Sequence, residues 1–208
     1  MQSIRKFSVG VIILAAGASR RMGRPKLLLP WGETSVLGHL LKTWSRLGAA
    51  QIAVVCAANA TPLITELDRL GFPEANRIVN AAPDNGMFSS IQCAAHWPGW
   101  DPSLTHWLIT LGDQPHLSEC TLQTLIDFGA RNPDKICQPM RAERHKHPVL
   151  LPRRFFYELK DTFASDLKMF LVEHADDLRG FDSDDAGLDL DMDTPEDYER
   201  LTHWKNIK

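Results

Sequence analysis

Between Leu14 and Lys26 the chain reads LAAGASRRMGRPK, with four cations, Arg20, Arg21, Arg24 and Lys26, inside seven residues. The small residues ahead of them, Ala15, Ala16 and Gly17, let a ligand come close to the backbone. Amides exposed where a strand runs toward a helix bind phosphate groups. Arg21 and Lys26 read as fixed charges for such an anion, whereas Arg20 and Arg24 fit a solvated surface equally well. Acids stand elsewhere. Asp113 follows Trp107–Gly112, and Asp189, Asp191 and Asp193 alternate with Leu188, Leu190 and Met192. Mg²⁺ uses few protein carboxylates and fills its shell with water and phosphate oxygens. The chemistry these residues suit is displacement at phosphorus, in which catalysis is mostly positioning and charge neutralisation.

The elements that must position these groups alternate short β-branched runs with helical patterns, which predicts a mostly parallel sheet covered on both faces. Val9–Leu14 reads as the first strand. A signal peptide is the competing reading, with Arg5 and Lys6 before an apolar run. Its core is short, however, four cations follow at once, and cleavage would remove the best strand. A helix follows from a Thr34 or Ser35 cap to Leu47, with Gly48 as terminator. Then come a strand at Ile52–Cys56, a helix at Thr61–Leu70, a strand at Arg77–Asn80 and a helix at Gly86–Trp97. Trp107–Leu111 reads as a strand buried on both faces, ending in Gly112 and Asp113 where α/β sheets bind ligands. Ser118 caps a helix to Ala130. Ile136–Pro139 and Pro148–Leu151 read as strands flanking a basic loop, Arg153–Asp161 and Asp166–His174 as helices. Leu188–Asp191 reads as the last strand, which would put its three aspartates on one face. Thr194 starts the terminal helix. The expectation is a single Rossmann-like α/β domain over residues 1–208, with 139–187 as an acceptor-binding insertion or lobe.

Composition bounds the function. With 208 residues, 44% hydrophobic and 24% charged, the chain is an ordinary globular sequence. No apolar run approaches the roughly 18 residues that a membrane helix needs. A formal net charge of −3 excludes a generally basic nucleic-acid binder. Cys56, Cys93, Cys120 and Cys137 lack metal spacing and read as reduced thiols, which points to the cytoplasm. G-x-G-x-x-G is absent and the Walker spacing fails, so neither common glycine loop applies.

The stretch L-A-A-G-x-S-x-R-M-G-x-x-K from Leu14 to Lys26 resembles the signature of the MobA-like NTP transferases, within the sugar-nucleotide and cofactor nucleotidyltransferases. The resemblance continues through Lys26–Pro30, Asn85-Gly86-Met87, Ser90-Ile91, Leu111–Pro115 and Asp191–Asp197, nearly the whole chain. It implies the nucleotide-diphospho-sugar transferase fold and an enzyme that moves an NMP group from an NTP with release of pyrophosphate. It also implies a nucleotide site of Leu14, Ala15, Ala16, Gly17, Ser19, Arg21, Gly23, Lys26, Gly86 and Ser90, with Lys26, Arg21 and Asp113 as catalytic groups. Mg²⁺ would be held by Asp113 and Asp193, with Asp191 in reserve. The molybdenum-cofactor cytidylyltransferases and guanylyltransferases are the most similar branch. Ala15-Ala16-Gly17 is nearer the cytidylyl form, so CTP is expected, with GTP as the alternative.

On the acceptor side, Arg144-His145-Lys146-His147-Pro148 keeps the branch's His-Pro but has Lys146 where its glycine stands. Of its G-D-x-G segment only Asp166 remains. Arg141, Arg144, Lys146 and His147 still make a basic loop suited to a phosphate, and Arg144 and His147 are the acceptor-binding candidates. Molybdopterin is the expected acceptor, a sugar or alcohol phosphate the alternative, and a molybdenum enzyme a further partner. A nucleotide-binding accessory protein without catalysis is the rival of another class. A glycosyltransferase using Asp191 and Asp193 would have its acids at the wrong end of the chain.

Overall fold

In a computed structural model, which describes residues 6–207, the sheet grows outward from β1, Val9–Leu14. Arg5, the other cation of the signal-peptide reading, lies outside the described residues. The other elements are β2 (Pro30–Trp31), β3 (Thr34–Ser35), α1 (Val36–Arg46), β4 (Gln51–Ala57), α2 (Thr61–Arg69), β5 (Arg77–Asn80), α3 (Met87–His96) and β6 (His106–Leu111). After them come α4 (Glu119–Arg131), β7 (Ile136–Arg141), β8 (Arg144–His145), β9 (Val149–Pro152), α5 (Arg153–Glu158), α6 (Leu167–Glu173), β10 (Leu178–Asp182) and α7 (Pro195–Ile207). The strand order is β10-β7-β9-β6-β1-β4-β5, with β8 paired to β7. Pairs β1–β4, β1–β6, β4–β5 and β7–β10 are parallel, while β9 runs against both its neighbours. Segment 139–187 thus adds strands to this same sheet.

Alternation along β1 builds two cores. Val9, Val11 and Ile13 face one side with Trp44, Leu67 and Leu125; Ile12 faces the other with Ile91, Trp107, Phe156 and Phe170. Helices lie on both faces, as the apolar runs of β1, β4 and β6 require. The caps follow side-chain chemistry: the Ser35 and Ser118 side chains accept from the Gly38 and Thr121 amides. At α7, Thr194 and Asp197 bond each other's amides at 3.0 and 3.2 Å.

Three expectations need correction. Leu188–Asp191 is not a strand: Ala186–Asp189 forms a 3-10 turn and the chain then runs extended without sheet pairing. The last strand is β10, which has no fully buried residue and exposes the charged Arg179 and Asp182, so it carries no core signal, as suits an edge. The helix after Pro152 ends at Glu158.

Candidate active site

β1 and β6 end in register, Leu14 opposite Leu111, so the glycine loop and Asp113 leave the sheet side by side. Gly112 closes that junction, its amide donating to Leu14 O. A Cβ on Gly112 would lie 2.7 Å from that oxygen, so no side chain fits. Past Leu14 the chain loops outward, with Ser19 at φ 49° and Gly23 at φ 70°, the left-handed region. Ser19 Oγ accepts from the Lys26 amide at 3.2 Å and turns the lysine back toward the strand ends.

There the charges meet. Lys26 Nζ lies 2.6 Å from Asp113 Oδ2 and 3.3 Å from Asp193 Oδ1; an Arg21 guanidinium nitrogen lies 2.8 Å from Asp193 Oδ2. The Lys26, Asp113 and Asp193 side chains are 16%, 21% and 26% exposed, and Arg21 70%. Residues 87 and 167 positions from Lys26 thus converge on one ammonium. Beside them a cavity of about 300 Å³ is lined by Leu14, Ala15, Ala16, Gly17, Ser19, Lys26, Gly86, Ser90 and Asp113 among others. Gly23, Arg20 and Arg24 line a broader adjoining hollow of about 880 Å³. Met22 and Gly23 amides are taken by Ser19 and Arg20 carbonyls, so they are spent on the turn. The amides of Gly17, Ala18 and Ser19 have no partner among the described residues.

Behind Ser90 on the cavity's rim stands Asn80, a buried residue that the sequence reading passed over. Its amide donates to Ser89 Oγ and Ser90 Oγ at 2.8 and 2.9 Å, and its carbonyl oxygen accepts from Ala82 N. Gly86, at φ 87°, begins α3.

The three aspartates, on a segment that is not the expected strand, meet three different sets of partners. Asp189 pairs with Arg141 and Lys146, each at 2.7 Å, and Asp191 accepts from Gln114 at 3.1 Å; only Asp193 reaches Lys26. Of the two residues expected to bind the acceptor, Arg144 sits exposed on the β7–β8 hairpin, turned by Ala142 and Glu143 at positive φ, away from any ion pair among the described residues. His147 is different. Burial pushes its pKa down, against the Ile109 carbonyl and the nearby charges of Asp113 and Asp191, so the ring is neutral and lies near those two acids. Cys56 and Cys137 are buried, their thiols pushed up to about 11, while Cys120 is exposed.

A glycine loop, a lysine and two acids at the carboxyl edge of a parallel sheet define a nucleotidyltransferase-type α/β enzyme. The MobA-like NTP transferase domain matches residues 11–178, and the chain belongs to that family. It is 28% identical to nicotine blue oxidoreductase of Paenarthrobacter nicotinovorans, over 91% of this chain and 94% of that protein. It is 24% identical to molybdenum cofactor cytidylyltransferase of Escherichia coli (92% and 94%). Against molybdenum cofactor guanylyltransferase of Rhizobium johnstonii identity is 30% (83% and 78%). The crystal structure of Rv0371c from Mycobacterium tuberculosis superposes with a TM-score of 0.73 at 27% identity, over 95% of this chain and 98% of that one. A manganese complex of Rv0371C gives 0.63 at 26%, over 94% and 98%.

Proposed function

We propose that this enzyme transfers CMP from CTP to a phosphorylated acceptor, with molybdopterin leading, and releases pyrophosphate in a Mg²⁺-dependent reaction. The observation that carries the reading is the Lys26 ammonium held between Asp113 and Asp193 at the mouth of the glycine-loop cavity.

An acceptor phosphate oxygen attacks the α-phosphorus while the bond to the oxygen bridging to the β-phosphate breaks and leaves with pyrophosphate. Free amides at Gly17–Ser19 cradle the departing phosphates, with Arg21 beside them. Lys26 meets the α-phosphate, where charge shifts during attack. Gly86 and Ser90 flank the nucleoside, and neutral His147 with Arg144 serves the acceptor. The acids suit a divalent ion. Asp113 Oδ1 is buried without a partner, an acceptor that a cation would satisfy. Among the described residues no three His, Cys, Asp or Glu side chains group as a metal cage, so the ion would rest on two carboxylates and the substrate's phosphates. Bound there, Mg²⁺ would neutralise phosphate charge. The cytidine preference rests on the Ala15-Ala16-Gly17 form; GTP stays the alternative, since relatives of both kinds match. The four free cysteines suit a reducing cytoplasm.

The test is pyrophosphate release, with each of CTP, GTP, ATP and UTP against molybdopterin, sugar phosphates and alcohol phosphates. Release with CTP and molybdopterin alone is expected. Release with another pair reassigns the substrates; tight CTP binding without release for any acceptor makes the protein an accessory binder. The oxidoreductase relative favours a second reading, redox chemistry on this fold. It predicts oxidation of a reduced nicotinamide probe by a quinonoid dye with no pyrophosphate formed.

A further inference from the structure

The two acids reach the site by different means. Asp113 stands two residues past β6, whose ladder with β1 fixes it. Asp193 ends a strap, residues 183–193, that makes no ladder with the sheet. Backbone groups off the ladder need other partners, and His116 supplies one to two of them. Its Nε2 lies 3.0 Å from Gly187 O and 3.1 Å from Leu190 O. Both are carbonyls, so Nε2 carries the proton and donates. The ring is buried and meets Trp204 edge-on at 6.1 Å. Asp185 returns the grip from the strap, accepting from the Ser118 amide at 2.9 Å and the Thr121 hydroxyl at 3.0 Å. Leu188 and Met192 are also buried, but apolar contact is non-directional and does not set where the strap turns toward Lys26.

We propose that His116 is a positioning residue for the second acid: by holding the Gly187 and Leu190 carbonyls from the loop that carries Asp113, it sets the spacing of the two carboxylates and so their affinity for a divalent ion. This rests on the reading of Asp113 and Asp193 as a metal pair. His116 itself does not line the cavity beside Lys26.

The experiment measures Mn²⁺ binding to the full chain by the paramagnetic resonance signal of the free ion, with a melting curve for every variant. His116→Phe keeps a ring against Trp204 but cannot donate; His116→Gln loses the ring but keeps an N–H near the place of Nε2. Removing a partner that orients a metal ligand weakens binding about 10- to 100-fold, so the Phe variant should lose at least about tenfold and the Gln variant less than about threefold. The reverse order, or wild-type affinity in both, makes His116 a packing residue and overturns the proposal. Gly187→Ala decides the matter should the Phe variant not fold. Its Cβ would lie 3.2 Å from His116 Cδ2 and 3.0 Å from Asp185 Oδ1, pushing the strap off the ring. Several-fold weaker Mn²⁺ binding is expected, and unchanged binding overturns the proposal. A wild type that binds no Mn²⁺ refutes the metal pair itself, and with it the role of His116; that outcome differs from a wild type that binds Mn²⁺ and ignores every His116 change.

Discussion

Two clusters of ion pairs lie at the carboxyl edge of the parallel strands, and they are built to different charge balances. Lys26 and Arg21 meet Asp113 and Asp193, two cations against two acids. Arg141 and Lys146 share Asp189, two cations against one. The first cluster is neutral and, Arg21 apart, mostly shielded from solvent. The second keeps one positive charge and is more open, Asp189 being 44% exposed. A neutral, shielded cluster accepts a ligand only by exchange: a divalent cation takes the acids while a polyphosphate takes the cations. A cluster with surplus charge needs no exchange, because an anion completes it. Under the proposed function, that difference would separate a nucleotide site that opens to the metal–triphosphate pair from an acceptor site that receives a lone phosphate.

The comparison is tested hardest at the shared ammonium. Lys26→Ala leaves two acids facing each other and removes the group proposed to meet the shifting charge. Turnover in pyrophosphate release should fall by two to three orders of magnitude, the scale of losing one transition-state donor, with the melting temperature little changed. A rate within threefold of wild type would take Lys26 out of the chemistry. Next in size is Asp193→Asn, which unbalances the first cluster. Mn²⁺ affinity should drop by about tenfold or more, since a two-carboxylate site loses half its protein ligands. An unchanged binding isotherm would leave Asp191 as the second acid.

The second cluster should respond in a different parameter. Replacing Arg141 and Lys146 together with Ala should raise the acceptor KM about tenfold, the worth of a charge-assisted hydrogen bond or two, and leave the nucleotide KM alone. A shift in the nucleotide KM would merge the two clusters into one site. Smaller and opposite in sign is Asp189→Asn. The Lys146 and Arg141 hydrogen bonds and charges hold this carboxyl below the usual range, so it is ionised at neutral pH and competes with an incoming anion. Its loss should lower the acceptor KM a few-fold, as for an exposed pair; a rise would make Asp189 part of the acceptor site.

The glycine-loop side of the candidate site was legible in the sequence because its cues are local. The strand, the small residues and the cations of Leu14–Lys26 are contiguous, and Asp113 follows an apolar run that could only be a central strand. The strap was misread for a physical reason. Leu188, Leu190 and Met192 alternate with aspartates because the chain lies along the core, and period two alone does not separate a paired strand from an extended segment. His116, Gln114 and Asn80 stayed hidden because their partners are backbone groups or distant side chains. Gln114 reads as part of a turn until it is seen to donate to Asp191, 77 positions away. β10 escaped because an edge strand need not look apolar on either face.

The smallest expected effect concerns the imidazoles. His147 feels Asp113 and Asp191, and His116 holds the strap that carries Asp193. Burial pushes the pKa of both down from 6.5, and that of His106, bonded to the Pro133 carbonyl, likewise. Below about pH 6.5 the unfolded chain takes up protons at these positions that the folded chain refuses, so stability falls as pH falls and recovers above that value. The urea midpoint should therefore be lower at pH 5.5 than at pH 7.5. His116→Gln removes one of the refusing groups, so its midpoint should fall less over the same interval. An equal fall in variant and wild type would mean that the strap is held by a ring that already accepts the proton, and that the strap loosens with acid by some other route.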